Sequence, residues 1–361
     1  MASADDDLPW VPDTQSLPNP SLQDIARRAK VSRSTVSRVM RNDPRISPET
    51  AQRVRDAAKE LHYRPNPLLS TLMERVRVGG DISYQGTLAI ISDKEDATKW
   101  YGTATGSWAR IHLGATHRAQ ERGYKVECFS TRDYPGDGRR LSQVLRARDI
   151  RSVYVAPGFR AREVQLQWEW FSAATTGYGL LHPTLHRVCY NNYHGIQLAC
   201  QKLSAAGYRR IGLYLKHRSN EVTDNNYLAG FLLFLQSVPE SSRVPPALVT
   251  AYDRDEFRTW FGAHRPDALI SLHPGLVDWA VELGARCPET FGFAHLDHTP
   301  DLTALAGIDH NSEVLGRGVI DLILAQLHRG EFGMPAHPTT TVVEGRWADG
   351  PSVRETQAVA T

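Results

Sequence analysis

Between residues 21 and 61 the apolar positions break stride twice, each time at a residue suited to capping a helix. In SLQDIARRAKVSRSTVSRVM, Leu22, Ile25, Ala26 and Ala29 recur at the spacing of one helix face, with Ser21 placed as the cap. The first helix is therefore expected over 22–29. Lys30, Val31 and Ser32 leave room for a turn of about three residues, after which Ser32 can cap a second helix that carries Val36, Val39 and Met40 inward. A third helix begins at Ser47-Pro48-Glu49, a cap followed by proline at the first helical position, and continues through Val54, Ala57, Ala58 and Leu61. The pattern predicts an all-α head of three helices, the first two meeting at a tight corner.

The second helix leaves Arg33, Ser34, Ser37 and Arg38 off its buried stripe, with Arg33 and Ser34 at its N-terminal end. In a helix-turn-helix that end lies against base edges in the major groove. Arginine suits bidentate contact to guanine, while hydroxyls and a helix N-terminus suit phosphate oxygens. A small basic bundle with a solvated charged face is the plainer alternative. Charge distribution bears on the choice. Residues 21–78 hold 13 Lys/Arg against 6 Asp/Glu, a balance of +7, which leaves 29 against 34, or −5, for the remainder. The formal net charge of +2 thus hides a basic segment on a mildly acidic body, the asymmetry expected of a nucleic-acid-binding head.

Three runs carry a resemblance: the SLQDIARRAKVSRSTVSRVM stretch, then RISPETAQRV, then ELHYRPNP. Together they resemble the head of LacI/GalR-type repressors over nearly sixty residues, far more specific than a lone motif. The resemblance implies that Arg33 and Ser34 occupy the family's base-reading pair and Arg38 a further base-contacting position, with Ser32, Thr35, Ser37 and Arg45 at backbone or flanking positions. After Tyr63-Arg64-Pro65-Asn66, Leu68, Leu69, Leu72, Met73 and Val76 fall at helical intervals. A helix so short is marginal alone and should form when paired on DNA. In the family this hinge enters the minor groove, and Leu72 aligns with its wedging leucine, which would trade unstacking for a bend. Asn66 joins the expected DNA-contacting set. The hinge departs from the family pattern in carrying Pro67, Leu69 and Met73, and an amphipathic linker helix is the plainer reading of it.

From Gln85 the texture changes to alternating strands and helices. Strands are expected at 86–92, 125–130, 152–156, 210–215, 268–271 and 291–294, and helices at 106–122, 139–147 and 225–237. Such alternation predicts an α/β body of two lobes, each a doubly wound parallel sheet. AAGYRRIGLYL, YLAGF and AGIDHNSEVLG resemble the LacI-type regulatory domain, itself similar to periplasmic sugar-binding proteins. That resemblance implies three crossings between lobes, expected near Gly177, near 297–305 and near 327–334, with a ligand in the crevice at the strands' carboxyl ends.

Candidate effector contacts follow from strand ends. Asp93, Trp100 and Tyr101 come after the first strand, and aromatic faces pack well against sugar or base rings. By resemblance, Asn191 and Asn192 occupy a loop that usually carries an Asp-Asn pair, and Asp297 aligns with an acid that accepts ligand hydroxyls. The family's sugar-clamping arginine is Tyr227 here, a phenol that cannot form a charged clamp, so a carbohydrate effector does not follow automatically. His273, His295 and His298 are spaced too irregularly to point to a metal, and no metal or cofactor is expected.

The expected division is a disordered leader over 1–20, the DNA-binding head over 21–65, a hinge and linker over 66–83, the two-lobed effector and dimerisation body over 84–348, and a tail over 349–361. The leader lacks the basic flank and apolar stretch of a secretory signal, and no run approaches the roughly 18 apolar residues of a membrane helix. Four scattered cysteines without a C-x-x-C pair read as reduced thiols, so the chain is expected in the bacterial cytoplasm, associated with the nucleoid. The function expected is a transcriptional regulator, a repressor by resemblance, that binds palindromic double-stranded operator DNA as a homodimer under control of a small-molecule effector. The alternative is a soluble small-molecule binding protein or an enzyme with an accessory DNA-binding head. Against the enzyme, the sequence contains no G-x-S-x-G elbow, H-E-x-x-H, P-loop or dinucleotide fingerprint.

Overall fold

The computed structural model describes residues 22–40, 46–61, 84–96, 98, 106–158 and 163–355. Two compact units divide between Asp81 and Ile82. In the first, α1 (Leu22–Ala29), α2 (Arg33–Met40) and α3 (Pro48–Glu60) enclose Ile25, Ala26, Ala29, Val36, Val39, Val54, Ala57 and Ala58. Those are the positions whose helical spacing marked them as inward-facing. Ser32 Oγ accepts from Thr35 N at 3.1 Å and Ser47 Oγ from Thr50 N at 3.3 Å, so the caps expected at these two serines are made, while Ser21 lies outside the described residues. Lys30 turns the corner in the left-handed region (φ 54°), and Val31 N reaches back to Ala26 O at 3.0 Å to close the first helix. Arg28 ties α1 to α3 through Glu60 at 2.6 Å.

The second unit contains two six-stranded sheets. The first is ordered β11-β5-β4-β3-β1-β2, where β1 is Gly86–Ser92, β2 Tyr124–Ser130, β3 Ser152–Val155, β4 Ser172–Thr176, β5 His186–Tyr190 and β11 Thr340–Val343. All of its pairings are parallel. The second is ordered β12-β10-β9-β8-β6-β7, with β6 Ile211–Lys216, β7 Ala247–Val249, β8 Ala268–Ser271, β9 Gly292–His295, β10 Ala306–Asp309 and β12 Arg346–Ala348. The edge strand β12 alone among these pairs antiparallel. The two sheets repeat one strand order, so the body is a two-lobed α/β architecture with the same winding in each lobe.

Helices cover both faces, which is why a strand such as β1 reads as an apolar run. Leu88 and Ile90 face one layer, containing α4 (Ser107–Glu121) and α11 (Ser312–Arg329), while Ala89 and Ile91 face the other, containing α5 (Arg139–Ala147). In the second lobe α6 (Asn192–Ala205) and α8 (Asn226–Ser237) lie against one face of the sheet, and α9 (Arg254–His264) and α10 (Leu276–Glu282) contribute to the core on the other. A five-residue α7 (His217–Glu221) joins β6 to the turn before α8. Strand β4, Ser-Ala-Ala-Thr-Thr, has no large apolar residue to advertise it, and neither it nor β5 was legible as a strand.

Those two strands account for a correction. The chain does not cross between lobes near Gly177, which instead turns between neighbouring strands of the first sheet. It crosses at Asn191, where β5 ends and α6 begins packing on the second lobe. The second crossing lies between Asp309 and Ser312, not at 297–305, and the third between Val343 and Arg346, not at 327–334, because α11 and β11 both belong to the first lobe. The segment expected as a tail is also partly built in. Ser352 is buried, donating to Phe293 O at 2.7 Å and accepting from Ala306 N at 2.8 Å, and the Arg354 guanidinium stacks 4.0 Å above the Tyr208 ring.

The four cysteines are free thiols, Cys189 and Cys200 buried and Cys128 and Cys287 half-buried. Burial pushes the Cys128 thiol up to about 11, so it is not a ready nucleophile. No helix among the described residues is long and apolar enough to cross a membrane.

Candidate nucleic-acid interface and effector crevice

In the head, α2 is held by its inward residues Val36 and Val39, 0% and 2% exposed, and by the Ser32 cap. That fixes what the rest of the helix can present. Arg33 and Arg38 are exposed, Ser32 is exposed beside them, and Thr35 is half-buried because its hydroxyl sits 2.8 Å from Ser32 Oγ. Ser34 and Ser37 lie on the same helix. Arg33 takes the first helical position, where the helix carries its partial positive charge and its unpaired N–H groups. The face can therefore offer a planar five-donor fork together with main-chain donors to an anionic, acceptor-rich surface. Arg45, Asn66 and Leu72 lie outside the described residues.

In the body, the three crossings are stitched to one another. Asn191 N donates to Val343 O at 2.9 Å, Asn191 Nδ2 to Glu344 Oε1 at 2.8 Å, and Asn311 Nδ2 to Glu344 O at 3.0 Å. Asn191 also caps α6 by accepting from His194 N at 3.0 Å. The structure thus makes Asn191 a pin of the hinge. Its neighbour Asn192 is 4% exposed at the start of α6, and its Oδ1 has no hydrogen-bond partner among the described residues. A buried amide oxygen left so costs about 1 to 3 kcal/mol unless something else donates to it.

Across the crevice, Ser107 Oγ, in the first turn of α4, donates to Asp297 Oδ1 of the other lobe at 2.6 Å. Arg110 Nη1, one turn further on, donates to Asp309 Oδ1 at 3.2 Å, and Arg346 Nη2 holds the other oxygen at 3.0 Å. Burial alone would raise the Asp309 pKa, yet Asn311 N–H and the two guanidinium groups outweigh it and hold the carboxyl below its ordinary value. Behind these contacts the Tyr190 ring stacks on His310 at 4.4 Å and 17°, its hydroxyl donating to Ser312 Oγ at 3.0 Å. The Tyr227 hydroxyl lies 3.3 Å from His310 Nε2. Burial raises both phenols far beyond physiological pH and keeps His310 neutral.

Tyr227, expected to face a ligand, is 3% exposed in the core of the second lobe. A phenol at that position reaches inward to His310, where an arginine would need a counter-charge. Asp93 is half-buried just beyond β1, its carbonyl accepting from Arg132 Nε at 2.6 Å. Trp100 and Tyr101 lie outside the described residues. The structure therefore brings Asn191, Asn192, Tyr227 and Asp297 to the hinge side of the lobes, and adds Ser107, Arg110, Tyr190, Asp309 and His310. These additions were hidden because a hydroxyl or ring at a strand or helix end becomes a contact only when the opposite lobe arrives. Tyr190, closing the HRVCY run just before Asn191, was the one with a sequence signal.

The histidines are committed elsewhere. His295 Nε2 is 3.1 Å from Leu272 O and its Nδ1 accepts from Asp297 N at 3.2 Å, so both ring nitrogens are engaged and the ring is neutral, burial lowering its pKa. His273 stacks on Tyr252 at 4.5 Å and meets Trp279 edge-on. Among the described residues no three His, Cys, Asp or Glu side chains group as a metal site.

Residues 21–66 match the family model described as bacterial regulatory proteins, lacI family. The chain is 26% identical over 255 residues to the sucrose operon repressor of Pediococcus pentosaceus, covering 70% of this chain and 72% of the relative. It is 23% identical over 332 residues to the HTH-type transcriptional repressor PurR of Mannheimia succiniciproducens, covering 85% and 92%. A crystal structure of the lac repressor dimer bound to operator and an anti-inducer shares its fold, with a TM-score of 0.53 at 18% identity over 93% of this chain and 99% of that one. The head, residues 21–66, thus matches the lacI family of bacterial regulatory proteins, while the chain as a whole is similar along most of its length to two transcriptional repressors and shares the fold of the lac repressor.

Proposed function

We propose that the chain represses transcription by binding an approximately palindromic operator as a homodimer, released or strengthened by a small molecule that sits between the two lobes. The observation that carries the DNA reading is the face of α2, where Arg33 and Arg38 stand exposed on a helix whose other side is fixed in the head's core. Arg33 and Ser34 read bases, Arg38 reads a further base, and Ser32, Thr35, Ser37, Arg45 and Asn66 set the position on the backbone. The hinge over 66–83 forms against its mate, with Leu72 as the wedge. A two-fold arrangement is supported by the similar lac repressor, crystallised as a dimer on its operator. The protein works in the cytoplasm and catalyses no reaction.

Effector binding is proposed at Asp93, Trp100, Tyr101, Asn192 and Asp297, with Asn191 and Tyr227 acting through the hinge and through His310. Ligand-driven change in operator affinity requires different affinity for two lobe arrangements. Ser107, Arg110 and the stitched crossings are contacts that such arrangements would make or break.

Footprinting of the full chain on genomic promoter fragments tests the reading: an approximately palindromic protected site is expected, with affinity falling steeply as salt rises. Binding indifferent to sequence would overturn it. Arg33→Ala should relax preference at one half-site position, at a cost of about 1 to 3 kcal/mol. Equal weakening on every operator variant would make Arg33 a phosphate contact instead.

A further inference from the structure

A groove of about 420 Å³ opens on the head, lined by Gln23, Ala26, Arg27, Lys30, Val31 and Arg33. Its chemistry is uneven. Ala26 and Val31 belong to the apolar core, whereas Arg27, Lys30 and Arg33 are exposed and give the rim three positive charges. Arg27 reaches Asp24 of its own helix at 3.6 Å, a loose pair on a solvated surface. The left-handed backbone at Lys30 brings the end of α1 and the start of α2 to the same rim.

Residues 1–20, outside the described residues, carry the opposite character: Asp5, Asp6, Asp7 and Asp13, with no lysine or arginine. Leu8, Trp10 and Val11 lie among these acids. The leader runs directly into α1, whose second residue, Gln23, already lines the groove. From Asp7 to that residue is 16 residues, about 50 Å when extended. That reach spans a head of helices only about 12 to 20 Å long. A tethered segment this near its site has an effective concentration on the order of millimolar, enough for a weak contact to be populated.

We infer that residues 1–20 dock on this groove as an acidic-aromatic strap, with Asp5, Asp6 and Asp7 against Arg27, Lys30 and Arg33 and an apolar side chain of Leu8 to Val11 over Ala26 and Val31. Because Arg33 is on the same rim, the strap and DNA phosphates compete for one surface, and the leader attenuates DNA binding in proportion to how well it neutralises that rim. The inference rests on the DNA reading for its consequence, not for the docking itself.

Two measurements separate those parts. In the full chain, a zero-length carbodiimide should join the leader's carboxylates to Lys30 Nζ in preference to Lys59, the other lysine of the head, and the product should vanish in 1 M salt or with Asp5, Asp6 and Asp7 all changed to Asn. Equal joining to Lys59, or none to Lys30, overturns the strap. On a random-sequence duplex, deleting 1–20 or making the triple Asn change should tighten binding about three- to tenfold near 50 mM salt, the gain disappearing near 0.5 M. Unchanged affinity with Lys30 still joined would overturn the attenuation while leaving the docking. If no form binds any duplex, the DNA reading fails and the carbodiimide product alone decides whether the strap docks.

Discussion

Replacing Gly316 with alanine should cost the body about 1 kcal/mol net, although alanine is the better helix former. Gly316 lies in α11 where it crosses α4, and a Cβ added there would sit 2.0 Å from Ile111 O and 2.8 Å from Ala115 N. The approach is mutual, since a Cβ on Gly114 would stand 2.1 Å from Glu313 O. Backbone cannot rotate away as a side chain can, so the helices must part by about 1.3 Å to restore a normal carbon-oxygen contact near 3.3 Å. Parting them loosens Ile111, Ala115, Leu315 and Val319, each at most 2% exposed. A gap of 0.5 to 1 Å already forfeits about a quarter to a half of each contact's attraction. Overpacking of this kind costs about 1 to 3 kcal/mol, against about 0.5 to 1 kcal/mol regained from helix propensity.

Gly318 supplies the control two residues on, because its added Cβ would meet Val188 Cγ1 at an ordinary 3.4 Å. Gly318→Ala should therefore be neutral or stabilising by up to about 1 kcal/mol. At about 2 to 4 °C per kcal/mol for a unit of this size, thermal unfolding followed by circular dichroism should place Gly316→Ala about 2 to 4 °C below the parent, and Gly318→Ala level with it or above. Equal shifts for the two, or a Gly316→Ala protein that melts no lower than the parent, would refute the close-approach argument. The same displacement would move Ser107, at the start of α4, relative to Asp297, so Gly316→Ala should also loosen the effector response.

Ser107→Ala removes the inter-lobe hydrogen bond to a carboxylate, a contact worth about 1.5 to 3 kcal/mol, and should lower the ligand-free preference for approximated lobes about tenfold or more. Small-angle scattering would show a larger radius of gyration, and identical curves would mean that this bond does not hold the lobes. Asp309→Asn should destabilise the body at neutral pH by loosening Arg110 and Arg346. The Asp309 carboxyl titrates below its unfolded value of 3.8 in the folded chain, so its contribution is fully present above that pH and is lost as pH falls through the folded pKa. The melting gap between parent and Asp309→Asn should accordingly narrow in acid, and a gap that is constant from pH 7 down to pH 2 would count against the charged network.

Much of the head was legible because its determinants are local. Caps, the 3.6-residue apolar period and a proline at a first helical turn act within a few residues, and they set α1, α2 and α3 with the bounds observed. The alternation of strands and helices likewise announced two wound lobes, since strands buried on both faces, such as β1, read as apolar runs. The crossings were not legible. Ser172 to Thr176 carries small residues in a strand whose burial comes from its neighbours, and missing it with β5 displaced every later assignment of chain to lobe.

By itself, then, the sequence determined which residues could form an exposed basic reading helix and that a two-lobed α/β body must follow it. Tertiary structure alone decided what the lobes' facing edges do. Ser107, Asp297, Arg110, Asp309, Tyr190 and His310 are far apart in sequence, and their meaning is a matter of distance: a serine is a latch at 2.6 Å from an acid across a crevice, and ordinary anywhere else. Hydrogen bonds fall off within an ångström or two and ion pairs strengthen as the charges approach, so both are written in the fold that brings the partners together and not in the order of the chain.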